Sequence, residues 1–402
     1  MKLQKDPPIH LTYCLNVHRG RTWAECLAAI DDCALKVRDK VAPDQPFALG
    51  LRVGNEASVE LVRPQRLREF RELLDARNLY VFTINGFPYG QFHDTAVKED
   101  VYRPDWQSPE RRDYTIRLAD ILAELLDEGM PGSISTVPGS YKRWIETDRQ
   151  VRAMAEMLAQ TAAHLARLYE RTGRDICVAL EPEPDCYLET TDEVIDFFVG
   201  PLARWAAQRL AGMGYSPARA ERIWQRHVGV CLDTAHAAVA FEDPATSLSK
   251  LAAAGIRIGK VQLSSAVQLA TGPQSLERIK AFCDEVYLHQ VKAVAADGRA
   301  ACYRDLPEAL QAAAHGNAEA QWRIHFHVPL YWQQAGPLES TSKLLTGRFA
   351  EMLRAGVADG IEIETYTFGV LPDELRSTDV TESIAREYQW VLRNMLGDYR
   401  SD

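Results

Sequence analysis

Five short segments of this chain alternate apolar side chains with groups that can bind a metal or carry a proton. In the run Ile361-Glu362-Ile363-Glu364 the isoleucines fall on one face of an extended strand and the glutamates on the other. Val178 and Leu180 oppose Ala179, Glu181 and Glu183, and Val230 and Leu232 oppose Cys231 and Asp233. Val261 and Leu263 oppose Lys260, Gln262 and Ser264, while Ile324 and Phe326 oppose His325 and His327. A buried parallel strand is expected to be apolar on both faces, so each polar face is a departure that calls for a reason. If the apolar faces pack on outer helices, the opposite faces converge, and carboxylates from separate strands repel one another there. A divalent cation removes that conflict. Hard metals favour oxygen ligands supplemented by imidazole, and Glu181, Asp233 and Glu364 with His236 or His327 form such a set. The structural alternative is that each acid pairs with a lysine or arginine inside the sheet.

The elements that must position these residues are short apolar runs separated by stretches of helical period, the pattern of strand-helix units around a parallel sheet. The strand candidates are IHLTYCLNV, FALGLRV, LYVFTING, GSISTV, ICVALEPE, HVGVCLD, IGKVQLSS, RIHFHVPL and GIEIETYT. Between the first two, Thr22 and Glu25 make a capping box, and Trp23, Cys26, Leu27, Ile30, Ala34 and Val37 recur at helical spacing. Similar faces occur at Leu67, Phe70, Leu73 and Leu74, and at Met154, Leu158, Leu165 and Leu168 ahead of Gly173. A further one holds Tyr388, Val391, Leu392 and Met395. This alternation predicts an α/β fold of the TIM type, one domain over residues 1–402. Nine strand candidates are one too many for eight, and the surplus lies after residue 258. An insertion over 265–321 is therefore predicted, containing a hairpin of EVYLHQVKAV and ACYRDL turned at Asp297-Gly298. RIHFHVPL fits either the insertion or the barrel. Long loops at 86–113 and 182–226 leave the third and fifth strands, and in a barrel such loops build the active face. The aromatic-rich stretch NGFPYGQFHDTAVKEDVYRPDW reads as a lid or substrate wall.

Composition narrows the function classes. Apolar residues at 46% and charged residues at 25% suit a compact protein able to bury a substantial core. The net charge of -10 and the scatter of the basic residues argue against a nucleic-acid partner, whose phosphates require clustered cations. No run approaches the roughly 18 apolar residues of a membrane span, and MKLQKDPPIHLTY lacks a signal-peptide core. Eight cysteines without a C-x-x-C pair read as reduced thiols, so a cytoplasmic protein with no membrane partner is expected. GIRIGK falls short of a Walker spacing, and H-E-x-x-H, G-x-S-x-G and G-x-G-x-x-G are missing. Phosphate cradling, serine hydrolysis and dinucleotide binding lose ground accordingly.

The motifs LTYCLNVHRGRTW, NGFPYGQFH with VYRPDW, LEPEPDCYLET, CLDTAHAAVAFE, HFHVP and EIETYTFGVLP resemble the metabolite traffic protein EboE family. That family is similar to the wider group of xylose-isomerase-like TIM barrels, which includes sugar isomerases, sugar epimerases and metal-dependent abasic-site endonucleases. The resemblance spans nearly the whole chain and implies a (β/α)8 barrel with loop insertions on its C-terminal face, encoded within a biosynthetic or metabolite-export operon. It also implies a divalent ion (Mn, Mg, Co or Zn) held by Glu181, Asp233, Gln262 and Glu364. Gln262 stands where the superfamily has a histidine, and His327, followed by Val328-Pro329, is placed to compensate. His236, in an Asp-x-x-His arrangement, resembles the superfamily's substrate or second-metal histidine. Asn16, His18, Asn85, His93, Glu183 and His325 are the expected substrate contacts. The implied reaction is proton transfer next to a carbonyl of a small polyhydroxylated substrate, a sugar, sugar phosphate or cyclitol. Glu181 and Glu364 would remove and return the proton with His236 beside them. Two other classes compete: a metabolite-binding or carrier protein without turnover, which Gln262 favours, and a phosphoesterase of the endonuclease IV type, which wants more His and Asp candidates.

Overall fold

The computed structural model describes residues 1–5, 7–90, 98–283, 287–316, 319–345, 347–369, 371 and 379–397. Eight strands run parallel: Pro8–Tyr13, Phe47–Arg52, Leu79–Asn85, Gly132–Thr136, Ile176–Leu180, Val228–Asp233, Ile258–Leu263 and Ile361–Ile363. Each of the second to the seventh pairs with its sequence neighbour, and the eighth joins the seventh to the first. The first and second strands meet through the bridge Cys14–Gly50, which makes a mostly closed sheet, and Lys2–Lys5 adds to the first strand antiparallel. Gly50 permits that meeting. A Cβ there would collide with the Glu362 carboxylate and the Tyr13 carbonyl oxygen.

The helices outside the sheet follow from local sequence. In the helix Trp23–Ala29, the Glu25 N–H donates to Thr22 Oγ1 at 3.2 Å and the Thr22 N–H to Glu25 Oε2 at 3.1 Å, so two of the orphan donors at its start are satisfied. The helix Asp148–Thr172 buries Met154, Leu158, Leu165 and Leu168 against the sheet side and stops where Gly173 adopts φ +72°. Among the described residues no helix is long and apolar enough to cross a membrane.

Between the seventh and eighth strands the chain builds a second, antiparallel sheet. Its order is Ala300–Tyr303, Val291–Val294, Gln321–His327, Ala266–Ala270, Leu338–Ser340, Gln334–Ala335. Val291–Val294 and Ala300–Tyr303 are a hairpin with Gly298 at φ +84° in its turn. The ambiguous run RIHFHVPL is the inner strand of this sheet, not a barrel strand, and the sheet extends past residue 321 to Ser340. Alternation is the same in either setting, so periodicity could not decide between them.

Candidate metal and active site

The C-terminal ends of the barrel strands deliver the acids. Glu181 and Glu183 follow the fifth strand, Asp233 ends the sixth and Glu364 follows the eighth, and all four are buried. Asp233 is also the N-cap of the short helix Thr234–Val239: its Oδ1 accepts the His236 N–H at 2.9 Å and the Ser264 hydroxyl at 2.7 Å. The Asp-x-x-His spacing is thus the geometry of a cap, which turns His236 back beside its own Asp. His325 and His327 arrive from the inserted sheet, where the register slips: Ile324 faces Val267, yet His327 faces Ala266. The extra residues re-aim the strand, and both rings line the same cavity as Glu181, Glu183, Glu364 and His236.

Each of the three rings is fixed through Nδ1. His236 Nδ1 lies 2.9 Å from the Pro182 carbonyl, His325 Nδ1 2.8 Å from Gln290 Oε1, and His327 Nδ1 2.8 Å from the Glu364 carbonyl. Oxygen acceptors put the proton on Nδ1 and leave the lone pair on Nε2, the form that binds a metal. The Gln290 amide is itself oriented, because its Nε2 donates to Tyr102 Oη at 3.0 Å and to the Pro184 carbonyl at 3.2 Å. The Tyr102 hydroxyl donates onward to Glu183 Oε1 at 3.1 Å. Ring centroids stand 4.6 Å apart for His236 and His325, 5.5 Å for His236 and His327, and 5.4 Å for His325 and His327.

Two groups of side chains have ligand atoms within 4.8 Å of one another and could hold a metal: Glu181, Asp233 and His236, and His236, His325 and His327. Glu181 Oε2, Asp233 Oδ2, Glu364 Oε2, His325 Nε2 and His327 Nε2 are buried without a hydrogen-bond partner among the described residues. No described lysine or arginine pairs with Glu181, Asp233 or Glu364. Lys260, buried inside the barrel, gives its ammonium to Glu362 at 2.7 Å and to Ser135 at 2.9 Å. Pairing by an interior cation therefore accounts for Glu362 and leaves the other three acids without one.

Electrostatics agree with the geometry. Burial, reinforced by Asp233, pushes the Glu181 carboxyl well above the usual range, and burial with Glu181 does the same to Glu364. Burial also raises Glu183. It lowers His236 to about 4 and, with His236 as neighbour, holds His325 well below the usual imidazole range. Carboxyls go up and imidazoles go down because neither charge is compensated. A mixed oxygen and imidazole donor set with open lone pairs fits a divalent metal ion.

The remaining predicted contacts divide. Asn16 and Asn85 line the cavity, and both donate from Nδ2 to Glu364 Oε1, at 2.5 Å and 3.0 Å, so they hold that carboxylate in place. The Nε2 of His18 lies 3.0 Å from the Tyr13 hydroxyl, and His18 is not among the cavity-lining residues. His93 lies outside the described residues. Gln262 stands in register with Asp233 and Glu362; its Oε1 accepts the Cys231 thiol at 2.9 Å and its Nε2 lies 3.5 Å from Glu362 Oε2. Tyr102, Gln290 and Tyr366 were not singled out from sequence. Tyr102 sits within the aromatic loop and Tyr366 continues the period of two from Glu364, whereas Gln290 carries no signal of its own.

No family model matches the sequence, and no curated protein matches it. Solved structures do resemble the fold. A probable 3-DHS dehydratase AsbF from Bacillus anthracis is 11% identical over 96% of this chain and 100% of that one, with a TM-score of 0.48. A xylose isomerase-like TIM barrel protein from Mycobacterium smegmatis in complex with magnesium gives 11%, 96%, 95% and 0.48 in the same order. The 3-keto-D-glucoside 4-epimerase YcjR from E. coli gives 13%, 95%, 98% and 0.45. Likeness at this level carries nothing about the reaction, and the barrel stands on the strand pairing described above.

Proposed function

We propose that this chain is a metal-dependent isomerase or epimerase acting on a small sugar or cyclitol. In this reading the fold is a xylose-isomerase-like (β/α)8 barrel with an inserted sheet, of the kind the EboE-like motifs imply. What supports it is one convergence: Glu181 and Glu364 with unpartnered oxygens and His325 and His327 with unpartnered Nε2 atoms line one cavity, Asp233 stands within ligand reach of Glu181 and His236, and no described lysine or arginine pairs with Glu181, Asp233 or Glu364. Glu181, Asp233 and Glu364 with His236 or His327 would hold a divalent ion, which when bound would supply positive charge to polarise a substrate carbonyl. Gln262 steadies the wall beside Asp233. The Asn16 and Asn85 amides orient Glu364, so that one of its oxygens would hold the ion and the other would take a proton from the carbon next to the carbonyl. Glu181, holding the ion through one oxygen, would enter with a proton on the other, deliver it to carbon and be left ionised. Return to the opposite face of the same carbon gives epimerisation, and return to the former carbonyl carbon, with the neighbouring hydroxyl proton passing to the former carbonyl oxygen, gives isomerisation.

The test is metal analysis of protein purified without chelators, together with incubation of candidate sugars in deuterated water. A single bound metal ion, lost in Asp233→Ala, and deuterium incorporation lost in Glu181→Gln and Glu364→Gln are expected. Full exchange in both glutamine variants would overturn the reading, and tight sugar binding with no exchange in the wild type would favour a carrier. A second reading, phosphoester hydrolysis, draws on the second ligand group of His236, His325 and His327. His236 has one nitrogen to offer, since Nδ1 is held by Pro182, so it serves one group at a time. Two ions bound together in the wild type would favour hydrolysis.

A further inference from the structure

Among the described residues Lys98 is the one lysine or arginine lining the cavity, and its ammonium is already committed. Lys98 Nζ lies 2.9 Å from Asp305 Oδ2 and 2.8 Å from the Tyr287 carbonyl oxygen. Asp305 is held in turn, because its Oδ1 accepts the N–H groups of Leu306 at 2.9 Å and His289 at 3.1 Å. Beside it, Arg304 pairs with Glu99 at 2.9 Å. These pairs clasp the segment Lys98–Tyr102 to the inserted sheet and cancel the cation within the wall. An anionic group entering the cavity would therefore meet Glu181, Glu183 and Glu364 without a described side-chain cation to offset its charge, and one divalent ion held with Asp233 leaves these four carboxylates net negative, so the contact is an unfavourable like-charge one. The wall that the loops add around the polar strand ends is apolar instead: Phe87, Pro88, Val101, Tyr287, Leu288 and Tyr366. The Tyr287 and Tyr366 rings pack edge to face with centroids 5.6 Å apart.

We propose, resting on the isomerase reading above, that the substrate is an uncharged polyol carrying an apolar substituent. Its vicinal oxygens meet the carboxylate and imidazole cluster, its substituent lies against the apolar wall, and the Lys98–Asp305 pair turns anionic sugars away. The test is calorimetric titration of manganese-loaded and chelator-treated protein with glucose, glucose 6-phosphate, and methyl, butyl and hexyl β-glucosides. Each methylene that enters the wall is expected to tighten binding about fourfold. Glucose 6-phosphate is expected to bind at least roughly tenfold more weakly than glucose. Asp305→Asn keeps the helix cap through Oδ1 and releases the Lys98 charge, so it should raise glucose 6-phosphate affinity while leaving hexyl glucoside unchanged. Val101→Ser and Leu288→Ser, at partly exposed positions, should flatten the alkyl series. A flat series in the wild type, or glucose 6-phosphate as the tightest probe, overturns the proposal. Alkyl-dependent affinities that are equal with and without metal keep the apolar wall and overturn the metal reading beneath it, whereas binding of no glucoside overturns both.

Discussion

The Lys260 ammonium lies 2.7 Å from Glu362 Oε2, with both side chains fully buried in the barrel interior, two residues before Glu364 on the same strand face. This pair is what separates Glu362, which has a lysine partner, from Glu181, Asp233 and Glu364, which have no described lysine or arginine. Removing one partner of such a pair leaves an isolated buried charge, so Lys260→Met is expected to lower unfolding stability by about 3–5 kcal/mol. The double variant Lys260→Met/Glu362→Leu should recover most of that loss. Urea unfolding of the three proteins measures it.

His327 and Gln262 make separable contributions. His327 directs an open Nε2 at the cavity, while the Gln262 oxygen is taken by the Cys231 thiol. His327→Ala is expected to weaken divalent-ion binding by roughly tenfold or more, and Gln262→Ala by less than about threefold, with the latter costing stability instead. Competition against a fluorescent chelator gives the affinities.

Gln290 fixes which nitrogen of His325 is free. Gln290→Leu removes the acceptor for Nδ1, and where His236, His325 and His327 hold the ion, metal affinity is expected to fall by about tenfold as the ring loses its orientation. The visible spectrum of the cobalt-substituted protein reads the change in ligation directly. Binding and spectrum identical to wild type would show that His325 takes no part.

Glu387 titrates with folding. It is buried, its Oε1 accepts the Leu330 N–H at 3.0 Å and the Thr365 hydroxyl at 2.7 Å, and burial raises its carboxyl from 4.5 to about 7. The native state keeps a proton that the unfolded chain has released, so this group's stabilisation is full below pH 4.5 and is lost as pH rises through about 7. Between pH 5 and pH 8 the wild type is expected to lose about 2–3 kcal/mol relative to Glu387→Gln. Unfolding midpoints across that range test the slope.

The strand alternation is legible in the sequence because buried strands leave little room for polar side chains, and Glu181, Asp233, Glu364, His325 and His327 stand out against it. Their partners are not legible. Glu362 and Glu364 look equivalent on one face of IEIET, and only packing decides that the Lys260 ammonium reaches Glu362. RIHFHVPL has the same period in a barrel strand as in an antiparallel sheet, so its strand neighbours could not be read from it. Gln290 lies in the hairpin run EVYLHQVKAV but in none of the segments read for chemistry, and its role arises from contacts with Tyr102 and His325 that are distant in sequence. The capping box at Thr22 and Glu25 is local, and for that reason it could be read directly.

Two of the three imidazoles reach the cavity on Gln321–His327, a strand whose ladder partners all belong to the inserted sheet. A barrel without that segment would keep its acids and His236 and lose most of its nitrogen donors. Under the proposed function, discrimination between magnesium-like and zinc-like ions is then lodged in a graft rather than in the scaffold. A descendant could change its metal by exchanging one loop-borne module, with the eight parallel strands left as they are.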